Sequence, residues 1–512
     1  MKRILVAASF VAAFCGALAL SPAPAHAGLF GSKASATATP SPTPLPMPTA
    51  TPEPPNIAIP RLEQKLKENP NDRQAMTDLA TEFLGINQPQ ATLALTQRLL
   101  QLGTKTAQVL YLDGSAQQAV GNQPAALADF EQASNLEPTN LAVLGALSDA
   151  YMKANRAQDA ERVATRAVTF NKDEPRAYVT LGVVYAAEQK WDDARKQFET
   201  AYSLDTKDVT PLMQEAQTWV MQNTIPNALA VVDRAIAADP KNVQVLVFRA
   251  DLYAKQNDIA KSSSAYDDAV AAASTDAEKA SVMVRKALMY SNAKKQSDAQ
   301  ATFQTAIKQY PFIGALHTAY GEYYLSQRDQ RHAEQEFLAA LKVNKSDVNA
   351  LMDMVQLKEA QGRTVDAVGY LKQVTQVAPS APSFALLGQA YVSLHDFKNA
   401  KDACMKSFQI ERTPDTLGCI AGSDYSLKNY KEAAQIFDVL NGNIKEYMDR
   451  NPQLLYMAGV SYTQTNQKPK ALDSYKRLLK IMKPGTKEYK RIQSQIAQLS
   501  KSSPAPKKSK HA

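Results

Sequence analysis

The sequence predicts an all-α protein. It reads as a right-handed α-solenoid, or superhelix, of about twelve 34-residue helix-turn-helix repeats closed by capping helices. Three observations predict it. Apolar residues recur at helical spacing. Small and aromatic residues return at fixed places with a period of 34. Helix formers dominate, and no segment alternates apolar and polar residues for long.

Residues 1–27 read as a secretory signal: Lys2 and Arg3, an apolar run from Ile4 to Leu20, then Ala25-His26-Ala27 as the cleavage site. Cys15 does not suit a lipid anchor, because Phe14 stands where a small residue belongs. The expected destination after cleavage near Ala27 is the periplasm, the cell envelope or the medium, with no membrane span left. Residues 28–60 are rich in Pro, Thr and Ala and favour extended polyproline II, which predicts a disordered linker. The folded array is expected over 61–500. It opens with a capping half-repeat at Arg61–Glu68, where Leu62 and Leu66 share a helix face.

The register is clearest at Tyr178–Ala201. Tyr178, Leu181, Gly182 and Tyr185 fall at i, i+3, i+4 and i+7. Ala194, Phe198 and Ala201 fall at i, i+4 and i+7 of a second helix, with Lys190 and Trp191 in the turn. Gly182 and the two alanines let the helices approach closely, and the large residues fill the flanks. With Gly182 as position 8, repeats begin near 73, 107, 141, 175, 209, 243, 280, 314, 348, 381, 414 and 452. Asp72, Thr106, Asn140, Asp208, Asn242, Asp347, Ser380 and Asn451 precede them as N-caps. An insertion of three residues falls around 274–279. Position 11, usually aromatic, is Lys358 and Asp424 in two repeats, and the second is read as a one-residue shift that buries Tyr425. At the far end Tyr489, Ile492, Ile496 and Leu499 share one face, as a terminal cap requires. Residues 501–512 form a basic tail, expected to be disordered, that could touch an anionic envelope polymer.

This pattern resembles the tetratricopeptide-repeat family: a large residue at 4, Leu-Gly at 7–8, Tyr at 11, Ala at 20, Phe at 24 and Ala at 27. The resemblance implies a non-enzymatic scaffold that binds a protein or peptide segment in a concave groove lined by first helices. Carried across at positions 2, 5, 6, 9, 12 and 13, the groove includes Tyr111, Met213, Val220, Met221, Val247, Phe248, Arg285, Leu288, Met352, Tyr456 and Met457. Met213, Val247 and Phe248 would form one apolar patch. The second implied role is a cell-envelope component that organises polysaccharide or cell-wall assembly. The resemblance also packs the helix of Cys404 against that of Cys419. A disulfide between them is one reading. Two separate buried thiols are the other, favoured because position 6 of the family points toward the groove.

Chemistry is sparse. No Gly-rich phosphate loop, Gly-x-Ser-x-Gly or His-Glu-x-x-His occurs, so no catalytic residue, cofactor or metal is assigned. His317 reads as a core filler, and His332 and His395 lie near turns. The net charge of +8 is partly in the ends, and the groove positions are slightly acidic, which argues against nucleic acid.

Overall fold

The computed structural model describes residues 53–501. The expected signal, most of the linker and the tail beyond Lys501 lie outside the described residues. The chain divides into two compact units, with the boundary between Gln300 and Ala301. Each is built from antiparallel helix pairs, and no strand occurs among the described residues. Twelve such pairs are present, with first helices beginning at Arg73, Ala107, Leu141, Pro175, Thr210, Val243, Asp276, Gly314, Val348, Ala381, Pro414 and Pro452.

The small residue at position 8 meets the large residue at position 24 of its own second helix. A Cβ on Gly182 would lie 2.6 Å from the Phe198 ring, and one on Gly459 would lie 2.5 Å from the Tyr475 ring. Gly321 meets Phe337 in the same way, and Gly388 meets the sulfur of Cys404. The ring can lie on the backbone only where a side chain is missing. Phe198, Phe337 and Tyr475 are consequently almost wholly buried.

Position 15 turns each pair. Its residue is left-handed in all twelve: ten non-glycine residues from Asn87 to Asn466, together with Gly121 and Gly362. In the repeat at 175, Gln189 N–H donates to Ala186 O at 3.0 Å and Lys190 N–H donates to Tyr185 O at 2.8 Å. These two bonds end the first helix as a Schellman motif and set up the second. His395 occupies this turn position.

Six of the eight expected N-caps accept a first-turn N–H: Asp72, Thr106, Asn140, Asn242, Asp347 and Ser380. Asp208 instead caps one residue early, accepting from Thr210 N–H at 2.9 Å, because the helix starts at Thr210. Asn451 donates its side-chain amide to Tyr447 O.

Three expectations are corrected, and the expected insertion is located. The N-terminal cap begins at Pro55, inside the expected linker, and runs to Glu68. Ala58 and Leu62, four apart, are buried, and Ile59 packs with Leu62 against Ala75 and Leu79; this burial holds a proline-rich segment helical. The insertion near 274–279 forms an extra N-terminal turn of helix Asp276–Asn292, fixed by a capping box between Thr275 and Glu278. Trp191 starts the second helix of its repeat rather than lying in the turn. The repeat at 414 has no register shift. Asp424 itself is buried at 1% exposure, where it accepts from Lys401 at 2.7 Å and from the Asn429 amide at 3.1 Å. Lys358 does the same with opposite sign, buried against Glu334. In both cases the partner sits on the second helix of the preceding repeat, at position 21.

The far cap forms over Lys487–Lys501. Ile492 is buried, and Ile496 and Leu499 pack with it against the cluster of Leu454, Leu455, Tyr475 and Leu478.

Candidate binding surface

First helices touch their counterparts in neighbouring repeats. In the N-terminal unit Leu141–Lys153 packs on Pro175–Ala187, and Val243–Lys255 on Asp276–Asn292. In the C-terminal unit Gly314–Ser326 packs on Val348–Ala360, and Pro414–Ser426 on Ala381–Ser393 and Pro452–Gln464. Second helices of neighbouring repeats show no comparable packing among the described residues.

The expected groove residues divide by exposure. Met213, Val220 and Phe248 are half-buried and rest on one cluster built from Leu212, Ala216, Val245 and Leu252. Met221, beside them, is 43% exposed. Leu288, Met352 and Tyr456 are half-buried, and Met457 is close to fully buried. Besides Met457, two expectations fail. Tyr111 is 2% exposed and packs against Phe130 with ring centroids 6.1 Å apart. Its burial pushes the phenol up to about 12. Val247 is 7% exposed and belongs to a cluster with Leu246, Ala250, Tyr266 and Val282. Each is covered by the large side chains of its own cluster, so neither is an accessible contact. Met213 and Phe248 remain as the patch, without Val247.

Charge on these helices follows two patterns. Asp251 accepts from the Tyr266 hydroxyl and the Arg285 guanidinium in two short bonds, so the expected groove cation Arg285 is already engaged. Asp149 accepts from Gln118 and Lys153, both at 2.6 Å. Glu322 and Asp353, on adjacent first helices of the C-terminal unit, form no ion pair with a described residue. Burial raises both carboxyls, and the nearby charges of Glu322 and Asp347 help push Asp353 up to about 7.

Cys404 and Cys419 are bonded, with Cα atoms 6.2 Å apart. The favoured reading of two separate thiols is overturned. Gly388 leaves the Cys404 sulfur free to lie against the first helix of its own repeat, on the path toward Cys419 in the next. His317 and His332 are each engaged locally. His317 Nδ1 lies 2.7 Å from Glu336, and His332 stacks on Tyr324 at 5.1 Å between centroids and bonds Asp329 at 2.6 Å. No group of three metal-ligating side chains occurs among the described residues.

Family models described as tetratricopeptide repeat match residues 119–181, 221–277, 281–312 with 453–481, and 381–414. No curated protein matches the chain. Similar solved structures include yeast Tom70, 14% identical over 74% of this chain and 93% of that one, with a TM-score of 0.35. YrrB, described as a TPR protein with an unusual peptide-binding site, is 22% identical over 36% of this chain and 95% of its own, with a TM-score of 0.29. A thermophilic TPR protein from Thermus thermophilus is 21% identical over 35% of this chain and 98% of its own, with a TM-score of 0.32.

Proposed function

The chain belongs to the tetratricopeptide-repeat family, and from that premise we propose that it is an exported, non-enzymatic scaffold that grips a protein segment along its first helices. Proteins of this family mediate protein–protein interaction, and their repeats are typically scaffolds rather than catalysts. One observation carries the finer reading. First helices pack on one another from repeat to repeat while second helices do not, which supports a reading in which first helices line the inner side. A segment laid there meets Met213, Val220 and Phe248 as one apolar anchor. Gln214, Gln217 and Gln244 stand at its edge to hydrogen-bond the segment's backbone. Export is supported by the charged and apolar leader and by the Cys404–Cys419 bond, which suits an oxidising compartment.

The test is capture of a partner from envelope extract with the full chain, followed by affinities for Phe248→Glu and Met213→Glu. Burial of apolar area, at roughly 25 cal/mol per Å², dominates in this reading. Each variant should therefore weaken binding about tenfold or more, and affinity should change little between low and moderate salt. Unchanged affinity in both variants, with a steep fall in salt, would favour an envelope polymer held by charge.

A further inference from the structure

The chain's formal net charge of +8 is not spread along the array. Residues 468–501 hold ten Lys or Arg against two Asp or Glu. Within the folded part of this stretch, Lys470 is engaged by Asp438 and Arg477 is buried against Asp449. Six others are exposed: Lys476, Lys480, Lys483, Lys487, Lys490 and Arg491. None of the six forms an ion pair with a described residue, and Glu488 is the only acid among them.

Their spacing gathers them. Lys476 and Lys480 are four apart on helix Lys468–Ile481. Lys487, Lys490 and Arg491 are at i, i+3 and i+4 on helix Lys487–Lys501. Lys483 lies in the turn that joins the two helices, and the helices pack together. The apolar side of the last helix is spent on the core through Ile492, Ile496 and Leu499, so its charged side is turned outward. Ile481 lies in the middle of the lysines and is 47% exposed.

We propose that this end of the array docks on an anionic lipid surface. Three features favour lipid over other polyanions. Five of the six cations are Lys, a strongly hydrated point charge suited to a diffuse layer of headgroups, rather than Arg, whose fork reads individual phosphates. The patch has an exposed aliphatic residue at its centre, which can enter the headgroup boundary. It has no aromatic platform for bases: Tyr475 is buried and Tyr489 is half-buried under the helix.

The experiment is co-sedimentation of the full chain with vesicles of phosphatidylcholine alone and of phosphatidylcholine with phosphatidylglycerol. Lys2 and Arg3 of the leader and the basic tail beyond Lys501 also favour anionic vesicles, so the difference between clustered and scattered variants, in a chain that keeps both ends, is what isolates the patch. The chain should prefer the anionic vesicles and be released by high salt. A basic residue near such a surface contributes enough that Lys480→Gln/Lys483→Gln/Lys487→Gln should lose roughly a hundredfold in affinity. Lys172→Gln/Lys207→Gln/Lys345→Gln, equal in charge but scattered, should keep the preference. Ile481→Ser should cost about threefold more. The proposal is overturned if neutral and anionic vesicles bind equally, if the clustered and scattered variants behave alike, or if heparin competes fully while Ile481→Ser changes nothing. The last outcome would assign the patch to a soluble polyanion. If the triple variant fails to fold, the single variants Lys480→Gln and Lys487→Gln, both at exposed positions, carry the same test, each with a several-fold loss.

Discussion

Two pairs of first-helix acids, one pair in each unit, are compensated differently. Over 53–300, Asp149 and Asp251 each meet donors from within the unit: Gln118 and Lys153 for one, Arg285 and the Tyr266 hydroxyl for the other. Over 301–501, four first-helix charges fare otherwise. Lys358 depends on Glu334 and Asp424 chiefly on Lys401, while Glu322 and Asp353 pair with no cation among the described residues. The same 34-residue frame therefore tolerates charge in two ways. Shared bonds make an acid part of the scaffold. An uncompensated acid keeps its proton to higher pH and makes the fold sensitive to pH.

The largest effect should come from the buried pairs. Lys358 is 2% exposed, and Glu334→Ala would leave it charged and alone. Breaking a buried pair from one side typically costs about 3–5 kcal/mol. Lys358→Tyr restores the aromatic usual at position 11 and should come out near neutral. Coupling in a repeat array runs between neighbours, so lost hydrogen-exchange protection should centre on 314–393. Protection lost evenly across both units would break the comparison at its root.

The next effect concerns pH. The Asp353 carboxyl is raised to about 7 in the fold, so between roughly pH 4 and 7 the folded state holds more protons than the unfolded one. Stability contributed by this site is greatest at acid pH and falls as pH rises through that window. Asp353→Asn should therefore stabilise the C-terminal unit on the order of 2 kcal/mol at pH 8 and change little at pH 4. Asp251→Asn should do the opposite at pH 8, destabilising by about 1–3 kcal/mol, because the amide offers one oxygen where Tyr266 and Arg285 each had one and turns its NH2 toward the donor left over. Urea midpoints at both pH values decide it. Equal signs at pH 8 would mean that the two acids are not differently compensated.

Much of this was legible in the sequence. The period of 34, the close approach at Gly182 and most N-caps follow from residue types whose physical roles are narrow. The misses share a cause, which is dependence on something outside the residue's own repeat. Tyr111 and Val247 are buried under side chains from neighbouring helices, while Met213 at the same position 5 is only half-buried, and a difference of that kind leaves no mark in local spacing. Asp424 reads as an error in register until Lys401, one repeat earlier, is seen to neutralise it. The Pro55 helix start was hidden by proline content, although Ile57, Ala58 and Ile59 already supplied an apolar turn. The basic end was hidden by averaging charge over the whole array.

The left-handed turns were not legible either, and they supply the smallest and most discriminating test. Position 15 is Asn in five repeats and Gly in two, but Gln189, Lys294, Arg328, His395 and Lys428 hold the same conformation in the others. These residues share no chemistry, so the sequence does not announce the turn. An ordinary L-residue there carries a steric penalty of about 1–2 kcal/mol, while Asn tolerates the conformation better. Glycine removes the penalty but gives back part of it through greater freedom of the unfolded chain, about 0.4–1 kcal/mol. Gln189→Gly in the N-terminal unit and Arg328→Gly in the C-terminal unit should each gain roughly 0.5–1 kcal/mol. Asn155→Gly should gain less. Gly362→Ala should lose a similar amount purely through the backbone, because a Cβ there meets nothing within 4 Å. Thermal midpoints for the four variants sharpen the comparison. If Gln189→Gly and Arg328→Gly gain equally, the turns are equivalent in the two units and the difference between them lies in charge alone. If Asn155→Gly gains as much as either, the left-handed conformation is not what limits these turns.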